Sequence, residues 1–308
     1  MVDLCRASLG WQPNDPNEAF FAWKHDQNSF GASPAWVAET TDGELAGVRM
    51  FLRWRFRSPG GETLSAVRAV DTATHPEWQG KGVFTRLTLG ALPDLGADGI
   101  DCVFNTPNDK SRPGYLKMGW EQVGRLPVSL RVRGLRSLPR VAGARAAAEK
   151  WSRSTDIGLS AVTYFDDDDA VASLLARSAD EHGIRTDRDA AYLRWRYSFE
   201  QLRYRVIPLG DRYDDGAIVF RLRARGSAVE AAVVEVLVPR GGSARSAVGW
   251  MLRATGADYA LRTGTSAPQS GFVPVPRLGP ILTWRSVASP YVPNLPELDL
   301  ALGDVELF

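Results

Sequence analysis

The stretch VDTATHPEWQGKGVFTRL, Val70 to Leu87, decides how the fold of this chain is interpreted. It joins a strand-like run, Leu64–Thr74, to a helix-like run, Val83–Leu92, through the short glycine-rich loop Gln79–Gly82. At a helix N-terminus the first backbone N–H groups have no helical acceptor, and together with the helix dipole they favour an anion. Glycine lets the backbone approach such a ligand closely. The stretch therefore predicts an anion-binding turn between a strand and a helix.

The composition is that of an ordinary globular protein. The chain has 308 residues, of which 44% are apolar and 24% are charged, and this length corresponds to about two domains. The formal net charge is +1, so no strong overall field favours nucleic acid or a membrane surface. With two cysteines, three histidines and no paired ligand spacing, we expect neither a disulfide framework nor a metal site.

No segment of the chain is typical of targeting or of membrane insertion. The N-terminal residues lack a basic segment followed by an apolar run, so we expect no signal peptide. No window approaches the roughly eighteen consecutive apolar residues that a transmembrane helix needs. We therefore expect a cytoplasmic protein without a transmembrane segment, and the sequence leaves its oligomeric state open.

Turn signals and apolar periodicity divide the first part of the chain into alternating elements. The Asp-Gly pair at 42–43 is typical of a hairpin turn. In chain order we expect a helix at 17–25, strands at 34–39, 44–56 and 64–74, a helix at 83–92, a strand at 100–105, a helix at 109–118, and closing strands at 120–125 and 128–132. These elements alternate as in an α/β domain of the α+β type.

The pattern begins again near residue 160. The aromatic run Ala191–Tyr197 corresponds to Ala19–His25, and the strand-like run Val229–Val238 corresponds to Leu64–Thr74. We interpret the chain as two diverged copies of one α/β unit. The expected division is an N-terminal domain at 1–133, a basic linker at 134–158, a C-terminal domain at 159–288 and an extended arm at 289–308.

The opening stretch resembles the cofactor-binding segment of the GNAT superfamily of N-acetyltransferases, which is a strand, a loop of the type Gln/Arg-x-x-Gly-x-Gly/Ala, and a helix. The resemblance implies two GNAT-like domains in tandem, each a mixed, mostly antiparallel sheet flanked by helices. It also implies acetyl-CoA as co-substrate, with its pyrophosphate on the loop amides. The residues implied to bind it are Gln79, Gly80, Lys81, Gly82, Val83, Phe84 and Arg86.

One loop position departs from the family's pattern. The last position is usually Gly or Ala, and here it is Phe84. A side chain of this size must either point into the core or narrow the pocket. The departure puts the fine geometry of the loop in question, while the strand, the loop and the helix remain as the family has them.

A second segment strengthens the resemblance. NDKSRPGYLKMGW, Asn108 to Trp120, is similar to the family's Asn-x-x-Ala-x-x-Phe-Tyr-x-x-x-Gly-Phe. By that resemblance Asn108 would bond the pantetheine arm and Tyr115 would be the general acid near the thioester sulfur. A phenol with a pKa of about 10 can protonate a thiolate whose conjugate acid has a pKa of about 8.5. The alternative for Tyr115 is a helix aromatic packed on the sheet.

The strand before the loop offers a candidate base. Asp71 is the only acid in Ala66–Thr74, and many family members carry a carboxylate there. Asp71 would act directly or through water, and the alternative is a structural carboxylate at the strand end. By the resemblance Thr72, Ala73 and Thr74 would offer backbone N–H and C=O groups to the pantetheine and the thioester.

The second copy lacks the groups proposed for the first. Val234 stands in place of Asp71, Phe272 in place of Tyr115, and Thr265 in place of Asn108. We therefore expect a degenerate C-terminal domain and one acetyl-CoA site in the N-terminal domain. The expected reaction is direct transfer of an acetyl group to a primary amine of a small-molecule or peptide acceptor, with no nucleic acid partner.

Two other functions remain open at this stage. A non-catalytic acyl-CoA-binding or sensor protein would keep the loop and lose the chemistry. A Fem-type transferase that uses aminoacyl-tRNA would explain the basic stretch 131–153, but it would leave the loop at Gln79–Gly82 without a ligand.

Overall fold

The computed structural model describes residues 1–178, 183–264 and 271–306. In chain order the helices are α1 Val2–Leu9, α2 Asn17–His25, α3 Val83–Ala97, α4 Arg112–Lys117, α5 Leu138–Gly143, α6 Ala161–Tyr164, α7 Asp168–Ser178, α8 Ala190–Tyr197, α9 Arg245–Thr255 and α10 Leu302–Val305. None of these described helices combines the length and the apolar character that crossing a bilayer requires.

The strands form two sheets. In chain order they are β1 Ala35–Glu39, β2 Leu45–Arg57, β3 Thr63–Thr74, β4 Cys102–Asn105, β5 Glu121–Arg125, β6 Val128–Val132, β7 Leu159–Ser160, β8 Arg185–Thr186, β9 Arg205–Pro208, β10 Ala217–Arg225, β11 Ala228–Leu237, β12 Tyr259–Thr263, β13 Val273–Pro274 and β14 Ile281–Ser286. The strand order is β1-β2-β3-β4-β14-β5 in the first sheet and β13-β6-β12-β11-β10-β9-β7 in the second.

The chain divides into two compact units that differ from the expected domains. The first unit comprises Met1–Arg125 and Pro280–Leu295, and the second comprises Leu126–Gly279 and Pro296–Phe308. The first boundary therefore falls before residue 126, whereas the sequence placed it at residue 133. Each unit also takes a segment from the far end of the chain.

The first sheet is mixed and mostly antiparallel. Strands β1, β2 and β3 pair antiparallel, β3 and β4 pair parallel, and β14 pairs antiparallel with both β4 and β5. Helices α3 and α4 pack on this sheet through a buried cluster that includes Phe51, Val67, Leu95 and Tyr115. The second sheet likewise has one parallel pair, β11 with β12. The expected fold class is confirmed.

The pairing of β3 with β4 ends before β3 does, because β4 stops at Asn105. Their parallel register stops where Arg68 lies opposite Phe104, but β3 continues to Thr74. Beyond that point β3 has no strand partner on its β4 side within the described residues. The last residues of β3 therefore lie beside no neighbouring strand there, just ahead of the loop that leads into α3.

A bulge lies in the unpaired part of β3. Val48 pairs with Ala73 and Met50 pairs with Val70, so Arg49 of β2 faces two residues, Asp71 and Thr72. The extra residue gives Asp71 a positive φ of 40°, which is uncommon for a residue other than glycine. A bulge redirects side chains locally, and such irregularities concentrate next to active sites.

The second sheet repeats both features. The parallel pairing of β11 with β12 ends at Ala232 opposite Leu261, while β11 continues to Leu237. Val233 pairs with Phe220 and Glu235 pairs with Val219, which leaves Val234 as the extra residue of a bulge. The bulge therefore falls at the position that the sequence repeat assigned to Asp71.

Each sheet contains a strand from the other half of the sequence. Strand β6, expected to close the first sheet, pairs with β12 and β13 of the second unit. Strand β14, which lies within the expected C-terminal domain, pairs with β4 and β5 of the first unit. Apolar alternation identifies a strand but does not identify the edge that it joins, so the sequence could not predict this exchange.

The expected linker and arm are part of the second unit's packing. In the linker, Arg140 Nη1 lies 3.0 Å from Asp258 Oδ1, and the Arg153 N–H donates to the Leu222 carbonyl at 2.9 Å. In the arm, Glu306 is buried and follows helix α10. One of the basic residues in 134–158, Arg140, therefore pairs with a carboxylate of the same unit.

Candidate active site

The glycine-rich loop opens toward the N-terminus of α3. Gly80 and Gly82 have φ values of 75° and 76°, a backbone conformation that favours glycine. A Cβ atom added to either glycine would meet no heavy atom within 4 Å. The first helical bond of α3 runs from the Arg86 N–H to the Gly82 carbonyl at 3.0 Å, so the three N–H groups before Arg86 have no helical acceptor. The loop has the geometry of an anion-binding turn.

Side chains in and next to the loop contact strands β3 and β2. Gln79 Nε2 donates to the Thr74 carbonyl at 3.3 Å, across the turn. The Lys81 ammonium lies 4.3 Å from the centre of the Trp78 ring and is exposed. Val83 is buried and lies so close to Gly47 of β2 that a side chain at Gly47 would collide with it. Helix α3 is therefore anchored at its first residue.

Phe84 points from α3 toward α4 and the sheet. Its ring meets the ring of Tyr115 edge to face, with centroids 5.4 Å apart and an interplanar angle of 84°. It also lies near the backbone of Gly114. The departure from the family's small residue therefore fills space beside Tyr115 and leaves the loop glycines clear.

Tyr115 is almost buried, with 5% of its surface exposed. Its ring packs between Phe84 and Trp120. Within the described part of the chain, its hydroxyl has no hydrogen-bond partner, so the O–H group is available to a ligand. Tyr115 thus packs on the sheet, and its role as a general acid stays a prediction.

Asn108 is exposed and shapes the turn before α4. Its Oδ1 accepts hydrogen bonds from the backbone N–H groups of Lys110 and Ser111 at 3.0 and 2.9 Å. Among the described residues, nothing accepts from its amide nitrogen. Asn108 therefore has a structural task on one side and a free donor on the other.

Asp71 is held by two basic neighbours on α2. Its Oδ2 lies 2.6 Å from Lys24 Nζ and 2.8 Å from His25 Nε2, and its side chain is 8% exposed. Burial alone would raise the pKa of this carboxyl, but the Lys24 charge and the His25 contact outweigh it and hold the pKa well below its ordinary range. A carboxylate stabilised in this way is a weak proton acceptor, which disfavours direct proton abstraction by Asp71.

His25 connects Asp71 to a serine that is partly exposed. The His25 Nδ1 atom lies 2.9 Å from Ser33 Oγ. Burial lowers the pKa of His25 more than Asp71 raises it, so the ring is neutral at neutral pH. With an ionised Asp71 as acceptor, the proton belongs on Nε2, and Nδ1 accepts the hydroxyl hydrogen of Ser33.

Sequence reasoning missed His25 and Ser33 as site residues. The pair Lys24-His25 ends a helix whose aromatic residues drew attention instead. The contact with Asp71 spans 46 positions, and no local pattern encodes a contact of that length. The sequence signal that could have identified them was a pair of adjacent basic residues, Lys24 and His25, at the C-terminal end of an apolar helix.

Arg49 is a further residue that sequence reasoning missed. It is fully buried on β2, and its Nη1 donates to Thr72 Oγ1. The guanidinium carbon lies 4.7 Å from the centre of the Phe51 ring, 5.4 Å from that of Tyr115 and 5.7 Å from that of Phe84. Gly47, Arg49 and Phe51 are alternate residues of β2, so they lie on the same face of the sheet. That alternation was the signal in the sequence that could have identified Arg49.

The strand residues after Asp71 lie between these groups. Thr72 is half-buried and contacts Arg49, Ala73 is buried, and the Thr74 carbonyl accepts a hydrogen bond from Ser8 Oγ at 2.8 Å. Because of the bulge, the side chain of Asp71 points to α2, and that of Thr72 points to Arg49. These two consecutive residues therefore contact different groups of side chains.

The second unit has apolar residues at the corresponding positions. Phe272 and Val234 are both buried, and Thr265 lies outside the described residues. The C-terminal segment covers the end of β12, where Thr263 Oγ1 donates to the Leu300 carbonyl at 3.0 Å. It also runs past β11, because a side chain at Gly303 would meet the Val234 carbonyl. The C-terminal segment of the same polypeptide therefore occupies this part of the second sheet.

Comparison with known proteins identifies the family of the first unit. Residues 1–123 match the family model described as an acetyltransferase (GNAT) domain. No curated protein sequence matches the chain. The first unit therefore contains a GNAT acetyltransferase domain.

Solved structures show the same fold across nearly the whole chain. A probable N-acyltransferase from Enterococcus faecalis has a TM-score of 0.66 at 14% identity, and the match covers 93% of this chain and 69% of that one. A GCN5-related N-acetyltransferase from Anabaena variabilis has a TM-score of 0.60 at 15% identity, with 93% and 69% covered. Eis1 from Mycobacterium abscessus has a TM-score of 0.55 at 17% identity, with 93% and 70% covered. At these identities the likeness concerns the fold alone.

Proposed function

We propose that the protein transfers an acyl group from acetyl-CoA or a related thioester directly to a primary amine of a small-molecule or peptide acceptor. The observation that carries the proposal is that β3 extends beyond its pairing with β4, with an open glycine-rich loop at one side and the uncommitted hydroxyl of Tyr115 at the other. A thioester laid along the free side of β3 would reach both. The rest of the site supplies groups of the required chemistry.

The loop Gln79–Gly82 and the start of α3, here called the phosphate cradle, would hold the donor's phosphates. The N–H groups at the start of α3 and the helix dipole favour the pyrophosphate, and the residues that would surround it are Gln79, Gly80, Lys81, Gly82, Val83, Phe84 and Arg86. The pantetheine arm would follow Thr72, Ala73 and Thr74 and would take the place of the side chains that now donate to the Thr74 carbonyl, with the free amide donor of Asn108 beside it.

Tyr115 would protonate the leaving group. The acceptor nitrogen attacks the thioester carbonyl, the carbon–sulfur bond breaks, and the electron pair stays on sulfur. The Tyr115 hydroxyl gives its proton to that thiolate, and the phenolate then recovers a proton from water. Backbone N–H groups at the bulge would stabilise the oxyanion of the tetrahedral intermediate.

The acceptor's proton would leave through Ser33 and His25. Because Asp71 is strongly stabilised as an anion, His25 Nδ1 is the better acceptor, and the neighbouring Ser33 hydroxyl relays the proton to it. Asp71 then has a positioning role: it fixes the His25 tautomer and stabilises the imidazolium that forms. This assignment replaces Asp71 as the direct base and keeps it in the mechanism.

Calorimetric titration with acetyl-CoA, and with CoA that lacks the 3′-phosphate, tests the proposal. We expect one binding site per chain with a micromolar dissociation constant. Two sites would mean that the second unit also binds a donor. Absence of binding would mean that the loop is only a turn, and binding without transfer to any amine in a broad panel would indicate a non-catalytic acyl-CoA-binding protein.

A further inference from the structure

Arg49 is a buried cation whose charge is not neutralised by the protein. No acidic side chain among the described residues lies within ion-pair distance of it. Its Nη1 is bonded to Thr72, but Nε and Nη2 are buried without a hydrogen-bond partner. Burying a charge without a partner is costly, and so is each polar atom left unpaired. A residue kept at this cost points to an anion that arrives with a ligand.

The two unpaired atoms define what kind of anion fits. Nε and Nη2 lie on one edge of the guanidinium and donate in parallel, which is the arrangement that accepts both oxygens of a carboxylate. The same edge is used elsewhere in this chain, where Arg212 Nε and Nη2 each lie 3.0 Å from one carboxylate oxygen of Asp214. The bond from Nη1 to Thr72 leaves this edge of Arg49 free. The missing partner therefore has the chemistry of a carboxylate.

The neighbours of Arg49 place that carboxylate on the donor. Phe84 belongs to the proposed phosphate cradle, Tyr115 is the proposed acid at the sulfur, and Thr72 lies at the bulge where the thioester would sit. All three contact the guanidinium. The acyl chain is the part of a thioester that extends beyond the sulfur into this space. An acetyl group has no charge there, whereas a short dicarboxylic acyl chain ends in a carboxylate.

We propose that Arg49 binds the terminal carboxylate of the acyl chain, so that the preferred donor is the CoA thioester of a short dicarboxylic acid, of the malonyl or succinyl class. The inference rests on the proposed acyltransferase function and narrows its donor. The reaction stays the same: the nitrogen–carbon bond forms, the carbon–sulfur bond breaks, and the thiolate takes a proton. The product amide carries a carboxylate in place of the acceptor's positive charge.

The test compares two donors of equal chain length that differ in charge. Dissociation constants for succinyl-CoA and butyryl-CoA are measured by calorimetry without an acceptor, on the wild type and on Arg49→Gln. We expect the wild type to bind succinyl-CoA at least about 10-fold more tightly than butyryl-CoA, as a charge-assisted bidentate pair warrants. Arg49→Gln should lose that preference and bind butyryl-CoA as the wild type does. Arg53→Gln is the control: Arg53 lies on the same strand and the same face of the sheet, and this variant should keep the preference.

The outcomes separate this inference from the function on which it rests. If both thioesters bind the wild type equally, the donor proposal is overturned while the cradle stands. If the preference persists in Arg49→Gln and in Arg49→Met, the carboxylate is bound elsewhere and the assignment to Arg49 is wrong. If neither thioester binds, both the acyltransferase site and the inference fall. The wild-type comparison alone decides the donor preference, and the variants decide whether Arg49 is its cause.

Discussion

His25 and Asp71 are joined by a contact of 2.8 Å between Nε2 and Oδ2, which ties helix α2 to the bulge of β3. The contact makes the imidazole part of the same buried group as the Lys24 ammonium. Stability and proton transfer are therefore expected to depend on the same few atoms. Experiments on these residues must measure folding and activity separately.

The buried His25 predicts that stability falls as the medium becomes mildly acidic. Its pKa is lowered in the folded state by burial, and an unfolded histidine has a pKa of about 6.5. Below that pH the unfolded chain binds a proton that the folded chain does not. The free energy of unfolding is therefore complete above about pH 7 and falls as the pH drops through 6.5, by at most about 1.4 kcal/mol per pH unit.

Urea unfolding of the wild type and of His25→Gln between pH 5 and pH 8 measures this effect. We expect the variant to lose this part of the pH dependence, while a His75→Gln control retains it. Equal slopes in the wild type and in His25→Gln would contradict the assignment of a neutral, buried imidazole.

Removing the charge of Asp71 should destabilise the first unit. Asp71→Asn leaves the Lys24 ammonium buried with no carboxylate at 2.6 Å, and breaking a buried pair on one side costs about 3–5 kcal/mol. The double variant Lys24→Met with Asp71→Asn should recover most of that loss, because it removes both charges. Chemical denaturation measures all three proteins, and additive losses would show that the two side chains are not coupled.

The hydroxyl of Tyr115 should matter for turnover rather than for binding. In Tyr115→Phe the ring still packs against Phe84, so the fold and the dissociation constant for the donor should stay within about twofold. The rate of transfer should fall by roughly 100-fold or more, because general-acid assistance is lost. Single-turnover kinetics check this, with Tyr291→Phe in the same unit as control. Full activity in Tyr115→Phe would remove the phenol from the mechanism.

A large side chain in the loop should block the donor. Gly82→Trp fills the open space at the start of α3 and should raise the dissociation constant for CoA by about 100-fold, which corresponds to about 2.7 kcal/mol. Gly43→Trp is a matched control, because Gly43 also has a positive φ, of 83°, and also has open space around it. Both variants carry the same backbone strain, so only Gly82→Trp should lose binding. Unchanged affinity in Gly82→Trp would mean that the phosphates bind elsewhere.

The C-terminal segment should contribute strongly to the stability of the second unit. Glu306 accepts hydrogen bonds from Arg221 Nε at 2.9 Å, from Arg223 Nη1 at 3.1 Å and from the Tyr204 hydroxyl at 3.0 Å. Glu306→Gln removes the carboxylate that pairs with the buried Arg221 guanidinium, at a cost of about 3–5 kcal/mol, whereas Arg223 keeps its ion pair with Glu230. Thermal and urea unfolding should show this loss, whereas the exposed Glu200→Gln should behave as the wild type.

Local patterns predicted the parts of the site that local geometry creates. The loop at Gln79–Gly82 and the helix after it lie where the glycines and the apolar periodicity placed them. Tyr115 lies on its predicted helix and beside the helix that carries the loop. These features depend on backbone preferences and on spacing within about twenty residues, which the sequence encodes directly.

The features that the sequence did not reveal depend on contacts between distant residues. Arg49 meets Tyr115, and His25 meets Asp71, only after the sheet has formed. The low pKa of Asp71 follows from those partners and not from its own strand. The same holds for β6 and β14, whose alternation is that of any half-buried strand and does not specify a neighbour.

The exchanged strand β14 has a consequence for how the protein is made. Strand β14 fills the place between β4 and β5, and it lies at residues 281–286, after strands β6 to β13 in the sequence. During translation the first sheet therefore waits, with β4 and β5 unpaired toward each other, until β14 has left the ribosome. Domains usually fold in the order in which they are synthesised, but here the unit that begins first cannot be completed until strands β6 to β13 have been made. A gene truncated after residue 133 would encode a domain that lacks one of its own central strands.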